Sequence, residues 1–189
     1  VKQMPVSVRN LSPQTNPNIC IHESIRPASA HLNENGNVII DMGQNMSGWL
    51  SVKLKAKTGV PIKIRYAERL AATGDSLDIL SLYGARQTDI YIPANDGTFN
   101  WEPKFTIHGF RYVEISGLDY LPNTSDFIGQ VVSDRMNNVG SFNSSDALLN
   151  RLYRNAWWGI RSNYRGMPLG CPQRADYGGS MVYRGAGCI

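Results

Sequence analysis

Hydrophobic and polar positions change register along this chain in a way that divides it into three stretches. Residues 36–143 carry short alternating runs. Gly48–Ala56 sets Trp49, Leu50, Val52, Leu54 and Ala56 against Ser51, Lys53 and Lys55, the period-2 pattern of a half-buried strand. Asn37–Met42 is a short apolar run behind the turn signal Asn35-Gly36. Thr58-Gly59 marks the next turn, and Pro61–Ala67 places Ile62, Ile64 and Tyr66 on one face. Further strands are expected at Thr88–Ile92, Trp101–Ile107, Arg111–Ile115, Asp126–Ser133 and Gly140–Phe142, with His108-Gly109 splitting two of them. Many short strands punctuated by turns predict an antiparallel β-sandwich, jelly-roll-like in kind.

At residue 145 the period becomes helical. Leu148, Leu149, Leu152, Tyr153, Ala156 and Ile160 fall on one stripe. Ser144 or Ser145 is placed to cap this helix, Asp146 suits the positive end of its dipole, and Gly166 and Pro168 end it after about Asn163. A single amphipathic helix needs a partner surface for its stripe. Left uncovered, the Leu148–Ile160 stripe favours self-association, so a homo-oligomer through the exposed helix is one expectation. Residues 1–35, with Pro5, Pro13, Pro17 and Pro27, read as an irregular lead-in from an upstream region.

Composition narrows the function classes. Hydrophobic residues make up 42% and charged residues 18% of the 189, which is ordinary for a globular chain. No apolar run approaches the roughly 20 residues of a membrane-spanning helix, and no membrane association is expected. The net charge is +4, but Lys53, Lys55 and Lys57 read as a solvated strand face rather than a nucleic-acid surface. Cys20, Cys171 and Cys188 are too few and too scattered for a disulfide framework or a zinc site. There is no P-loop, nucleophile motif or metal-ligand spacing, so no cofactor and no metal is expected.

Four segments carry a resemblance. They are Asp41-Met42-Gly43-Gln44-Asn45-Met46-Ser47-Gly48-Trp49; Arg65-Tyr66-Ala67-Glu68; Thr88-Asp89-Ile90-Tyr91 with Trp101–Val113; and Phe142–Arg174, which ends in Gly170-Cys171-Pro172-Gln173-Arg174. In order and spacing they resemble the α-L-rhamnosidases of glycoside hydrolase family 78. The resemblance implies a β-sandwich over residues 36–143, then the first helix of a truncated (α/α)6 catalytic barrel over 144–189. It makes the chain an internal piece of a longer enzyme acting on rhamnose-containing glycans or glycosides, and it favours a periplasmic or extracellular location.

The residues also have readings of their own. Gly43 and Gly48 bracket a tight polar segment that calls for positive φ. Trp101, Phe105, Phe110 and Tyr112 suit a sandwich core, and Arg111 beside Glu102 or Glu114 suits a cross-strand pair. The alternative is a sugar platform of aromatic faces with amides and carboxylates.

Inverting glycoside hydrolysis needs two carboxyl groups, one protonating the leaving oxygen and one activating water, roughly 6.5–9.5 Å apart. In the family, Cys-Pro-Gln-Arg is followed by D-E-R-x-x-W-x-G-D, whose Glu is the acid. Here Arg174 is followed by Ala175-Asp176-Tyr177-Gly178-Gly179-Ser180. Counted without gaps, Asp176 stands at the acid's position, with Gly170, Cys171 and Arg174 as the substrate-binding loop. The departure points to a diverged site or an altered reading of this segment, and the resemblance puts the second carboxylate outside the chain. The isolated chain is therefore expected to be inactive. A non-catalytic glycan-binding sandwich and a purely architectural one are the competing readings.

Overall fold

The computed structural model describes residues 12–174. Its strands are β1 (Ile19–Ile25), β2 (Ser29–Leu32), β3 (Val38–Ala56), β4 (Ile62–Ala67), β5 (Thr88–Tyr91), β6 (Gly97–Trp101), β7 (His108–Ser116) and β8 (Phe127–Asp134), followed by the helix α1 (Ala147–Asn163). All the strand pairings are antiparallel.

The organising element is β3, whose 19 residues pair with four other strands. Its first part, Val38–Asp41, lies between β2 and β7, and β7 continues through β4 to β5. Its second part, Gly48–Ala56, pairs with β8 and then β6, and β8 continues to β1. The strand thus crosses between the two halves of one continuous eight-stranded sheet, which closes over a shared core as the sandwich. Alternate residues of both layers meet in one apolar core: Val38, Ile40, Leu50, Val52, Ile62, Ile64, Val113, Ile115 and Phe127 are all buried. Burying each such side chain stabilises the fold by about 1.5–3 kcal/mol.

The crossing depends on Gly48, which pairs with His108 on one side and Val131 on the other. Its φ is +152°, and a Cβ there would stand 1.7 Å from the Gln130 carbonyl oxygen. Only glycine fits a backbone so closely flanked. Gly43 also takes a positive φ, as the sequence pattern predicts. The segment between these glycines is an irregularity inside β3 rather than a loop between two strands.

Other expectations need correction. Residues 19–25 and 29–32 are not irregular: β1 pairs with β8 and β2 with β3, and Ile19, Ile21 and Ile25 add an edge despite the surrounding prolines. The strand expected at Trp101–Ile107 is β6, which ends at Trp101; Pro103 has no N–H to give, and Phe105 takes a φ of +57°. His108-Gly109 lies within β7, and Gly140–Phe142 is not a strand. Phe110 is a core residue and Trp101 packs against the core, but Phe105 is fully exposed and Tyr112 only half-buried.

Helix α1 follows the predicted period. Its cap is Asp146, whose Oδ1 accepts from Leu148 N at 2.7 Å, and not Ser144 or Ser145. Ser144 is instead tied to Asn150, N to Oδ1 at 2.8 Å and O from Nδ2 at 2.7 Å. The helix docks by its C-terminal end. Trp158 packs on the core, and buried Arg161 pairs with Glu23 of β1 at 3.2 Å beneath the Trp157 and Trp158 rings. The Leu148–Ile160 stripe faces away from that contact, with Leu148 69% and Leu152 63% exposed.

Candidate functional site

The segments singled out in the sequence hold one another. Asp41 of β3 accepts two hydrogen bonds from Arg111 of β7, Nε to Oδ1 at 2.8 Å and Nη2 to Oδ2 at 2.9 Å. These bonds, with one from Gly43 N, hold the Asp41 carboxyl below its usual range. The expected Arg111 partners are engaged elsewhere. Glu114 pairs with Arg65 at 3.2 Å, and Glu102 accepts from Lys104, Ser51 and the Trp49 indole. Those three donors, Lys104 foremost, lower the Glu102 carboxyl as well.

Behind β7 lies a buried polar knot that residue-by-residue reading misses. His108 meets Gln87 through Nδ1 at 2.7 Å and Asp89 through Nε2 at 3.0 Å. The Tyr66 hydroxyl donates to the same Asp89 Oδ2 at 2.9 Å, and the Tyr66 and His108 rings stack 4.0 Å apart. Burial, reinforced by Asp89, pushes the Tyr66 hydroxyl well above its usual range. The signal was present in the co-occurrence of Arg-Tyr-Ala-Glu, Thr-Asp-Ile-Tyr and His-Gly-Phe-Arg. What the sequence does not display is that Tyr66, Asp89 and His108 point inward together.

The chain leaving α1 is sewn to the sandwich. The Asp134 carboxylate accepts from Gly166 N at 2.8 and 2.6 Å, and Asp134 N donates to the Tyr164 carbonyl at 3.0 Å. The loop Gly170–Arg174 then runs directly over β7. A Cβ on Gly109 would come within 2.7 Å of Gln173 N and 2.9 Å of the Pro172 carbonyl carbon. Gly109 is therefore the seat that lets this loop lie flat on the strand. Arg174 closes a turn onto Cys171 O at 3.2 Å, donates from Nε to Ser81 O at 3.3 Å, and sits 4.2 Å over the Tyr83 ring.

Gly170 and Cys171 form the wall between two clefts. One, of about 730 Å³, has Trp49, Phe105, Arg165 and Arg174 among its lining. The other, of about 370 Å³, is amide-rich, with Gln44, Asn45, Glu68, Trp158, Asn163 and Gln173. There Asn45 Nδ2 donates to Glu68 Oε1 at 2.8 Å, and the buried Asn163 Oδ1 has no partner among the described residues. The predicted loop residues Gly170, Cys171 and Arg174 are thus brought together. Asp176, the candidate acid, lies outside the described residues. Among those residues no group of three or more His, Cys, Asp or Glu is placed for a metal, and no helix is long and apolar enough to cross a membrane.

An antiparallel sandwich that hands the chain through a docked helix to such a loop is the junction of two domains that family models describe. Residues 31–133 match the bacterial alpha-L-rhamnosidase concanavalin-like domain, and residues 137–182 match the 6 hairpin glycosidase domain of the same enzymes. The chain belongs to the bacterial α-L-rhamnosidase family. An alpha-L-rhamnosidase of Formosa agariphila is 44% identical over 140 residues, which are 73% of this chain and 15% of the relative. One from Alteromonas sp. is 37% identical over 156 residues, 82% of this chain and 17% of the relative. The solved alpha-L-rhamnosidase of Dictyoglumus thermophilum superposes with a TM-score of 0.82 at 36% identity, over 86% of this chain and 18% of its own. That of Streptomyces avermitilis, complexed with L-rhamnose, gives 0.81 at 30% identity, over 85% and 16%. The chain therefore spans less than a fifth of the length of each of these relatives.

Proposed function

We propose that the whole protein hydrolyses terminal α-L-rhamnosyl bonds of glycans or glycosides, and that this chain supplies the sandwich and the approach to the general acid. The observation that carries this reading is the seating of Gly170–Arg174 on Gly109 of β7, immediately ahead of Asp176 in the sequence. Positional errors near 1 Å can cost about a hundredfold in rate, so a loop fixed by backbone contact suits an acid that must meet the leaving oxygen. Asp176 is the proposed acid, and Gly170, Cys171 and Arg174 line its approach. A carboxyl group on this loop protonates the leaving oxygen while a second carboxylate, outside this chain, activates water on the opposite face.

The exposed stripe of α1 supports two further parts of the proposal. In the whole protein it is covered by the neighbouring helices of the six-hairpin domain. In this chain alone it drives self-association into a homo-oligomer. A periplasmic or extracellular location fits a glycan substrate.

The test is release of the aryl group from an aryl α-L-rhamnoside. Turnover is expected from the whole protein and none from the 189-residue chain. Turnover by this chain alone would contradict the assignment of the second carboxylate.

A further inference from the structure

The loop that precedes Asp176 in the sequence touches the sandwich at two seats, and one buried hydrogen bond joins them. The first seat is Gly109 of β7, where a Cβ would come within 2.7 Å of Gln173 N. The second is the excursion between β4 and β5. Arg174 donates from Nε to Ser81 O there at 3.3 Å and covers the Tyr83 ring at 4.2 Å. Tyr83 ends the short 3-10 turn Leu80–Leu82 with a φ of +50°. Left-handed backbone is unfavourable for so bulky a residue and persists only where the surroundings impose it. Leu82 of that turn is buried, and Ala85 N donates back to Leu82 O at 3.0 Å.

Gln87 is where the excursion rejoins the sheet. Its carbonyl accepts from Tyr66 N at 2.9 Å, which fixes its backbone to β4. Its side-chain Oε1 stands 2.7 Å from His108 Nδ1. An amide oxygen only accepts, so Nδ1 donates in this bond. His108 is 4% exposed and is the chain neighbour of Gly109. Its other ring nitrogen faces Asp89 Oδ2 at 3.0 Å, and its ring stacks on Tyr66 at 4.0 Å. The imidazole is thus held on both edges and one face. In so dry a setting a hydrogen bond is stronger than the same bond in water. Neither seat can shift alone without stretching this bond or turning a packed ring.

We propose that Gln87 and His108 are positioning residues for hydrolysis: their bond locks the two seats of the Gly170–Arg174 loop into one geometry and, through the loop, sets the placement of the acid. The proposal rests on the reading of the whole protein as a rhamnosidase with its acid beyond this loop. Neither residue lines either cleft beside the loop. Their effect therefore falls on the chemical step and not on holding substrate. An acid displaced by about 1 Å loses roughly a hundredfold in rate, and release of one restraint among several costs about a tenth of that.

Two variants of Gln87 test this in the whole protein with an aryl α-L-rhamnoside. Gln87→Met keeps the length of the side chain and removes the acceptor, whereas Gln87→Glu keeps the acceptor. In Gln87→Met kcat is expected to fall about tenfold with KM changed by less than about twofold, and Gln87→Glu should recover most of kcat. Ile62→Val, a core change on β4, controls for general loosening of the sandwich and should keep kcat. Unchanged kcat in Gln87→Met, a loss confined to KM, or an equal loss in Ile62→Val would overturn the proposal. Amide hydrogen exchange of the 189-residue chain reads the same tie without turnover. Peptides covering residues 170–174 should exchange at least about threefold faster in Gln87→Met and at the native rate in Gln87→Glu. Near-UV circular dichroism checks the packing of Gln87→Met. If that packing is lost, Gln87→Asn, one methylene shorter, takes its place in both assays. Equal exchange in all these chains would overturn the tie. Faster exchange in Gln87→Met beside a whole protein that never turns over would support the tie and sink the hydrolysis reading alone.

Discussion

Arg111 on β7 clasps Asp41 on β3 through two parallel hydrogen bonds of 2.8 and 2.9 Å, across 70 residues of sequence. The pair sits where β3 turns irregular, just before it crosses between layers, and so fixes the start of that crossing. Arg111 is 39% and Asp41 24% exposed, so solvent screens the pair. Arg111→Met should cost about 1–2 kcal/mol in urea unfolding, at the upper end of partly exposed pairs because the geometry is bidentate. Arg111→Lys should recover only part of it, since a lysine cannot form the fork. A change of less than a few tenths would show that the crossing does not need the clasp.

The same pair sets a pH dependence. Asp41 is lowered in the folded state, first by Arg111 and also by Gly43 N. A depressed carboxyl contributes stability above its unfolded value, about 3.9, and that contribution disappears as pH falls through the lower folded value. The stability gap between the native chain and Asp41→Asn should be full at pH 6 and close as the pH drops below about 4. A gap that widens in acid would mean the sign of the linkage is wrong.

Tyr66 offers a spectroscopic prediction. Its hydroxyl is buried and donates to Asp89. In alkaline titration at least one of the nine tyrosines should resist ionisation until the protein unfolds, and Tyr66→Phe should remove that resistant fraction. The substitution also leaves Asp89 one donor short, costing about 1–2 kcal/mol. Full ionisation of all tyrosines with the fold intact would contradict the buried knot.

Gly48 and Gly109 separate fold from site. Gly48→Ala forces a Cβ into the Gln130 carbonyl, and should destabilise the sandwich by more than about 3 kcal/mol. At Gly109→Ala the nearest atoms to the new Cβ belong to the overlying Pro172 and Gln173 backbone. It should leave the melting curve of the sandwich nearly intact and lower rhamnoside turnover of the whole protein by roughly a hundredfold through a displaced loop. Equal turnover in the Gly109 variant would detach the loop from the chemistry.

These glycines also show what was legible in the sequence. Alternation identified β4, β5 and β8 to within a residue or two, because each buries one face and its period survives intact. The helix was legible for the same reason. The edge strand β1 was hidden, since the prolines flanking Ile19–Ile25 outweigh a weak pattern that only β8 makes use of. The continuity of β3 was hidden as well, because Gly43 and Gly48 signal a break whether or not the backbone resumes its pairing. At the site, the resemblance to the family, and not local spacing, singled out the loop Gly170–Arg174. It could not foresee that the loop rests on Gly109, some 60 residues earlier in the chain, since that contact is made by backbone atoms and leaves no side-chain signature.

The central claim is that this sandwich and loop deliver a general acid to a rhamnosyl bond. It is tested most directly by following the anomer released from an aryl α-L-rhamnoside by proton NMR, using the whole protein and its Asp176→Asn variant. The account predicts β-L-rhamnose as the first product, formed with inversion, and a large loss of turnover on the substitution. First formation of the α anomer, or undiminished turnover in Asp176→Asn, would contradict it.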